Sequence, residues 1–319
     1  MTGTSSLPGL IADHVIAQAN TYSARFARRE PFRHVVIDDF FAPDYARQLL
    51  AEFPPFERGN ARNENGDLGN KSTVELIRGL GPAYATLDDL VRSPELLELI
   101  GRITGIPDLL YDPWYFGGGT HENRTGQDLD PHVDFNRHPV ENWHRRLNLI
   151  VYFNQAWNDA WGGSLELHSD PRAGDDRVTL ITPIYNRCVI FETTETSWHG
   201  FSRIERSENA APLSRKSIAL YFYTRERPAE ELADPHSTIY VDRPLPERIR
   251  AGLALDGGDV EEIRILLARR DQHNQRLYRE ITQLTTQLEQ SKAALAVATA
   301  PRPSLLRRIV RRVLRPLQR

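Results

Sequence analysis

Apolar positions along this 319-residue chain follow helical spacing near both ends and strand-like spacing in the middle. The pattern predicts a short helix over 11–19 and a strand over 31–41. Helices are predicted over 43–52, 81–91 and 93–103. Asp44 stands in the acidic first turn of the first of these, and Ser93-Pro94 supplies an N-cap and first helical residue to the last. Strands are then predicted over 109–116, 147–154, 164–168, 180–183, 188–191 and 215–223, with Gly117-Gly118-Gly119 breaking the first. Short strands at this spacing, with turn residues between them, suit a jelly roll with helical support.

Within 147–154, Leu147, Leu149, Val151 and Phe153 form an all-apolar face, expected to pack against helices. Asn148, Ile150 and Tyr152 form the opposite face, expected to line a pocket. Tyr152 then offers a hydroxyl to whatever fills that pocket, or packs in the core. In 215–223 the same alternation sets Arg215, Ser217, Ala219 and Tyr221 inward, with Ile218, Leu220 and Phe222 outward.

His132-x-Asp134 aims an imidazole and a carboxylate at one point if it lies on a strand. His199, at the end of an apolar run, can complete the set if the strands between fold back. Two histidines and one carboxylate on one face of a metal, other positions open, is the arrangement of non-haem Fe(II) oxygenases. Three such ligands also hold Zn(II). His138 and His144 lack the carboxylate two residues on and are left out of the metal ligands.

Composition narrows the class. Hydrophobic content of 40% supports an ordinary core. The single cysteine, Cys188, excludes an internal disulfide framework and a cysteine zinc site, and its apolar neighbours suit a buried thiol. Seven arginines and no acid fall in 301–319, so residues 1–300 carry about −10 of a net −3. That balance argues against a nucleic-acid groove in the main domain. No export segment or continuous apolar span is evident, so the expected location is cytoplasmic, in a reducing compartment, with peripheral contact at the inner face of the membrane.

From Phe32 to about Tyr223 the chain resembles the prolyl-4-hydroxylase-like branch of the Fe(II)/2-oxoglutarate dioxygenase superfamily. The resemblance rests on His132-x-Asp134, a strand ending Tyr152-Phe153-Asn154, Gly162-Gly163, His199 and Arg215, in that order. It implies a double-stranded β-helix with His132, Asp134 and His199 as iron ligands. Arg215 would meet the distal carboxylate of 2-oxoglutarate, a job suited to its planar fork. The arginine also gives a keto acid, and hence iron, a reason to be there. Tyr115 sits where related enzymes place a phenol against 2-oxoglutarate, although a packed tyrosine fits equally. Sixteen residues separate His199 from Arg215, more than is usual, with an apparent loop insertion at 205–212. The resemblance further implies 2-oxoglutarate and O2 as co-substrates, and ascorbate as an accessory reductant. The segment with Asn136, Arg137, His138, Trp143, His144, Arg145 and Arg146, together with Asn148 on the next strand, is the expected substrate grip, or else a solvated loop. The polar stretch 59–70 reads as a flexible loop or a lid.

The expected organisation is a lead and short helix over 1–30, the oxygenase jelly roll over 31–226, a linker over 227–255, a long helix over 256–300 and a basic tail over 301–319. Leu277, Ile281, Leu284, Leu288 and Leu295 form a coiled-coil seam, for a homodimer or for docking on the chain's own domain. The tail sets apolar residues on one helical face and arginines on the rest, an interfacial helix for anionic lipid or a protein-binding tail. The leading expectation is hydroxylation of a C–H of an amino-acid residue, prolyl-type, or of a glycan or small metabolite, with release of succinate and CO2. The competing one is a catalytically silent jelly-roll module, glycan-binding or scaffolding, tethered through its C-terminal helix.

Overall fold

The computed structural model describes residues 7–28, 30–59, 71–205, 214–246 and 248–299, leaving aside the side chains of 296, 297 and 299. Residues 60–70 of the predicted loop, most of the insertion at 205–212 and the basic tail lie outside the described residues. The chain divides into two units, 1–244 and 245–319.

The first unit opens with α1 (Asp13–Ala17), α2 (Ala19–Phe26), β1 (His34–Ile37), α3 (Pro43–Ala51), β2 (Ser72–Val74), α4 (Pro82–Arg92) and α5 (Pro94–Thr104). Ser93 caps α5 by accepting from the Leu96 amide, and Gly105 ends it in the left-handed conformation. Then come β3 (Leu110–Tyr111), β4 (Gly119–Arg124), β5 (Leu129–Val133), β6 (His144–Tyr152), β7 (Leu165–His168), β8 (Val178–Ile181), β9 (Cys188–Glu192), β10 (His199–Phe201), β11 (Ser214–Thr224) and β12 (Ile239–Tyr240).

The strands form two sheets. The larger runs β1-β9-β6-β11-β4-β2 with β3 also on β11, and the smaller runs β12-β5-β10-β7-β8. All named pairs are antiparallel. The outer face of the larger sheet presents Leu147, Leu149, Val151, Ile218, Leu220 and Phe222 to the buried side chains of the five helices, which makes the main core. Between the sheets the apolar cluster is small, with Tyr152, Leu165, Leu167, Val189 and Phe191 at its centre. The remaining inner face is polar, and a polar space enclosed by a packed sandwich is where chemistry can sit.

Three expectations change. Residues 109–116 do not make one strand. β3 ends at Tyr111, and the Asp112 carboxylate accepts the backbone amides of Trp114 and Phe116, closing a turn. The expected break at Gly117–Thr120 is instead the entry to β4, whose residues alternate without an apolar face. The proline- and charge-rich 227–255 is not all linker: β12 pairs with β5 and extends the smaller sheet, so the first unit reaches residue 244.

The second unit carries α6 (Gly257–Thr299), a 43-residue helix. Its start is doubly capped: the Asp256 carboxylate accepts the Asp259 amide, and the Asp259 carboxylate accepts the Asp256 amide. Among the described residues no helix is long and apolar enough to cross a membrane.

Candidate metal centre

β5 and β10 are neighbours, and their register sets His132 opposite His199. The two imidazole rings lie 4.2 Å apart, with Phe191 4.7 Å from the second. Asp134, just past the end of β5, reaches the same point: Oδ1 is 3.8 Å from His132 Nε2 and Oδ2 is 3.5 Å from His199 Nε2. One ligand atom from each of the three residues lies within 4.8 Å of the others, and among the described residues no other such cluster occurs.

Each histidine is oriented through its second nitrogen. His132 Nδ1 bonds the Asp130 carbonyl at 2.9 Å and His199 Nδ1 bonds the Ser197 carbonyl at 2.9 Å. Donation from Nδ1–H leaves both Nε2 lone pairs facing Asp134, as metal-binding histidines require. Burial, reinforced by the neighbouring His199, lowers the His132 pKa to about 3, and burial also lowers that of His199. Both rings are therefore neutral at ordinary pH. Burial alone would raise Asp134, but Arg145 and the two imidazoles outweigh it and hold the carboxyl well below the usual range.

Arg145 is the residue that the strand pattern concealed. By alternation from Leu147 it belongs to the apolar outer face. The register between β6 and β11 shifts at Phe222/Tyr223, so that Tyr223 faces Arg145 while Phe222 faces Leu147. This bulge inserts one residue and turns the guanidinium to the inner face. There it is 1% exposed, stacked 3.7 Å from the Tyr221 ring and 4.3 Å from the Phe135 ring. Its Nη2 lies 3.2 Å from Asp134 Oδ2 and donates to Asn148 Oδ1 at 2.8 Å. Asn148 in turn donates to Asp134 Oδ2 at 2.8 Å. A triangle of polar contacts thus fixes the carboxylate.

Arg215 lies deeper. It faces inward opposite Asn123 of β4, and its neighbour Ser217 stands opposite both His121 and Tyr152. Its Nε donates to the Gly163 carbonyl at 2.7 Å and its Nη2 to the Tyr152 hydroxyl at 3.1 Å, with the Phe201 ring 4.3 Å from the guanidinium. Among the described residues no carboxylate pairs with it, although it is 5% exposed. A buried guanidinium with only neutral partners is a site for an anion. The Gly162-Gly163 turn makes this possible. Both glycines have positive φ, and a Cβ on Gly163 would stand 2.8 Å from the Trp157 ring and 2.9 Å from Ile204.

The other expected residues divide. Tyr152 and Asn148 face the centre. Tyr115 does not contribute its hydroxyl: held at positive φ in the turn after β3, it is buried with the helices and donates to Asp88 at 2.8 Å. Asn136 spends its side chain on the 234–236 segment, donating to the Asp234 carbonyl and accepting from the His236 amide. Arg146 pairs with Glu192 and Glu231. Trp143 stacks near His138, whose own ring bonds Asp112. None of these three expected substrate residues reaches the cluster through these contacts. His121 and Asn123 escaped the sequence reading because β4 carries no apolar alternation. Tyr240, from the expected linker, stacks 5.2 Å from His132.

The donor set fits a ferrous ion, and the buried cation beside Tyr152 fits the far carboxylate of a keto acid. Residues 119–223 match the profile of the 2OG-Fe(II) oxygenase superfamily, whose cofactors are Fe(II) and 2-oxoglutarate. Comparison with curated protein sequences gives no match. Similar solved structures include a prolyl hydroxylase from Trichoplax adhaerens in complex with a hypoxia-inducible-factor peptide. It shows 16% identity over 66% of this chain and 93% of that one, with a TM-score of 0.46. A prolyl 4-hydroxylase from Phytophthora capsici shows 19% identity over 83% and 79%, TM-score 0.43. HygX from Streptomyces hygroscopicus, with nickel, 2-oxoglutarate and hygromycin B bound, shows 12% identity over 64% and 91%, TM-score 0.42. The segment 119–223, which carries His132, Asp134, His199 and Arg215, belongs to the 2OG-Fe(II) oxygenase superfamily.

Proposed function

We propose that the protein is a 2-oxoglutarate-dependent hydroxylase in which His132, Asp134 and His199 hold Fe(II) and Arg215 with Tyr152 holds the distal carboxylate of the keto acid. The observation that carries this reading is the buried Arg215, unpaired with any described carboxylate, in the same inter-sheet space as a two-histidine, one-carboxylate cluster. When bound, iron and 2-oxoglutarate supply the oxidation of a substrate C–H by O2, with succinate and CO2 as co-products.

The chain's own groups do the positioning. Neutral His132 and His199 present Nε2 lone pairs, and their backbone-bonded Nδ1 atoms keep the rings from turning. Arg145 and Asn148 hold one oxygen of Asp134, which keeps the carboxylate ionised and limits its rotation. Arg215 and Tyr152 fix the keto acid at its far end. Phe191 and Leu167 line the inner side of the histidine pair and exclude water there. The substrate is a C–H of an amino-acid residue or of a glycan or small metabolite, with ascorbate as the accessory reductant.

The test incubates the full chain with Fe(II), 2-oxoglutarate, O2 and host extract. Succinate release and a product heavier by one oxygen atom are expected, both lost in His199→Ala. Absence of succinate under these conditions, with no binding of 2-oxoglutarate, would favour the silent module.

A further inference from the structure

We infer that α6 is one strand of a parallel, in-register, two-stranded coiled coil whose partner is a second copy of this chain. The seam that sequence spacing marks at 277–295 extends back through the whole helix. Steps of three and four from Val260 set Val260, Leu267, Asn274, Ile281, Leu288 and Leu295 at the a positions of successive heptads. The same steps set Ile263, Arg270, Leu277, Leu284 and Ser291 at d. From Leu267 onward the apolar members of this stripe are open, from 51% exposed at Leu277 to 64% at Leu295. Apolar residues at this exposure, recurring over four heptads from Leu267 to Leu295 on a 43-residue helix with one polar layer between, belong against another helix.

The seam's own chemistry selects the occupant. Ile281 at a between Leu277 and Leu284 at d follows the two-stranded parallel pattern, whereas Leu267, Leu288 and Leu295 at a do not discriminate, so the choice rests on the polar layer. Asn274 is the one asparagine at an a position, and it is exposed. In a parallel in-register pair it meets itself, and one side chain's NH2 donates to the other's carbonyl oxygen. Arg270 at d looks unfavourable until the packing is followed. A d-position knob enters a hole formed by four residues of the facing helix, and here that hole includes Asp271 and Asn274 of the second copy. That hole also holds Arg270 of the second copy, so the layer contains two guanidiniums and two Asp271 carboxylates, and each carboxylate offsets the repulsion between the paired arginines. An antiparallel partner sets a against d. The register that brings Ile281 to Leu277 would bury Asn274 against Leu284 and Arg270 against Leu288, and the register that pairs Asn274 with Arg270 would leave Leu288 and Leu295 beyond the start of the partner helix at Gly257. The positions flanking the seam at 273, 278, 280, 285, 287 and 292 place no like charges opposite one another in the parallel register.

The experiment uses the full chain at tens of micromolar in sedimentation equilibrium. A mass twice the 36.5 kDa of one chain is expected. Ile281→Asp combined with Leu284→Asp should give monomer with unchanged Fe(II) binding. Asn274→Leu should keep association but broaden the species to trimer or above. Leu284→Cys should form an inter-chain disulfide on mild oxidation, because parallel register sets the two copies of residue 284 together, while the native Cys188 is buried. A monomeric wild type, or a double-aspartate variant that still dimerises, overturns the seam. A dimer in which Leu284→Cys does not cross-link overturns the parallel register.

Discussion

The smaller sheet carries histidine–carboxylate clusters on both of its faces, and they behave in opposite ways. On the inner face, His132 and His199 each use Nδ1 on a backbone carbonyl and leave Nε2 uncommitted beside Asp134. On the outer face, His168 has both nitrogens occupied, by Asp176 at 2.6 Å and Glu166 at 3.4 Å, and Arg243 donates to Glu166 at 2.9 Å. Burial works to lower His168 as it does the inner pair, but its two carboxylates outweigh it and raise the pKa. Inside, burial prevails and the rings stay neutral. Residue type therefore does not separate a candidate ligand set from a structural ion pair. The free lone pair does.

The largest effect that sharpens this contrast is loss of a member of the inner cluster. His199→Ala or Asp134→Asn should reduce turnover by more than the roughly 10- to 100-fold typical of lost outer partners, read as succinate release with the folded circular dichroism retained. Next, Arg215→Leu should raise the KM for 2-oxoglutarate by roughly 10- to 150-fold, the value of about 1.5–3 kcal/mol for hydrogen bonds to a charged group. Fe(II) affinity should stay unchanged and lysine should restore part of the loss. An equal loss of Fe(II) binding would show that Arg215 supports the fold rather than an anion. Arg145→Met keeps the volume between Tyr221 and Phe135 but frees the Asp134 carboxylate. It should weaken Fe(II) binding by roughly 10- to 100-fold, measured by anaerobic titration.

The smallest effect belongs to the outer face. His168 is raised in the folded state, so its contribution is complete below its unfolded value near 6.5 and is lost as pH rises through the folded value. Glu166 and Asp176 are lowered, so theirs is complete above about 4.5 and is lost on acidification. His168→Gln should therefore cost on the order of 1 kcal/mol near pH 6 and less near pH 9, in urea melts at each pH. Fe(II) affinity should be unaffected, and a change in it would dissolve the distinction between the two faces.

Strand alternation aimed His132 and Asp134 at one point, and the structure brings both together with His199, whose place came from the family pattern rather than from spacing. The same alternation put Arg215 and Tyr152 on one side of β11 and β6, where the structure has them touching. It failed at Arg145, because a bulge reverses facing without leaving a mark in the spacing of apolar residues. The only hint was a charged residue where the face of Leu147, Leu149 and Val151 would continue. At Tyr115 the packed alternative holds, for a related reason: a turn built on the Asp112 carboxylate ends the strand early and directs the phenol to Asp88. β4 was missed because a polar strand has no period to detect and β12 because two residues are too few to show one, and the pairing that makes them strands comes from β11 and β5. On α6 the heptad was legible at its apolar end and obscured where Arg270 and Asn274 interrupt it.

The most direct test of the central claim is anaerobic addition of Fe(II) and then 2-oxoglutarate to the full chain, followed by visible absorption. A weak charge-transfer band that requires both additions, and disappears in His199→Ala and Asp134→Ala, is the predicted result. A band that persists in either variant, or no band with the unaltered protein, would contradict the assignment of these side chains to a shared iron site.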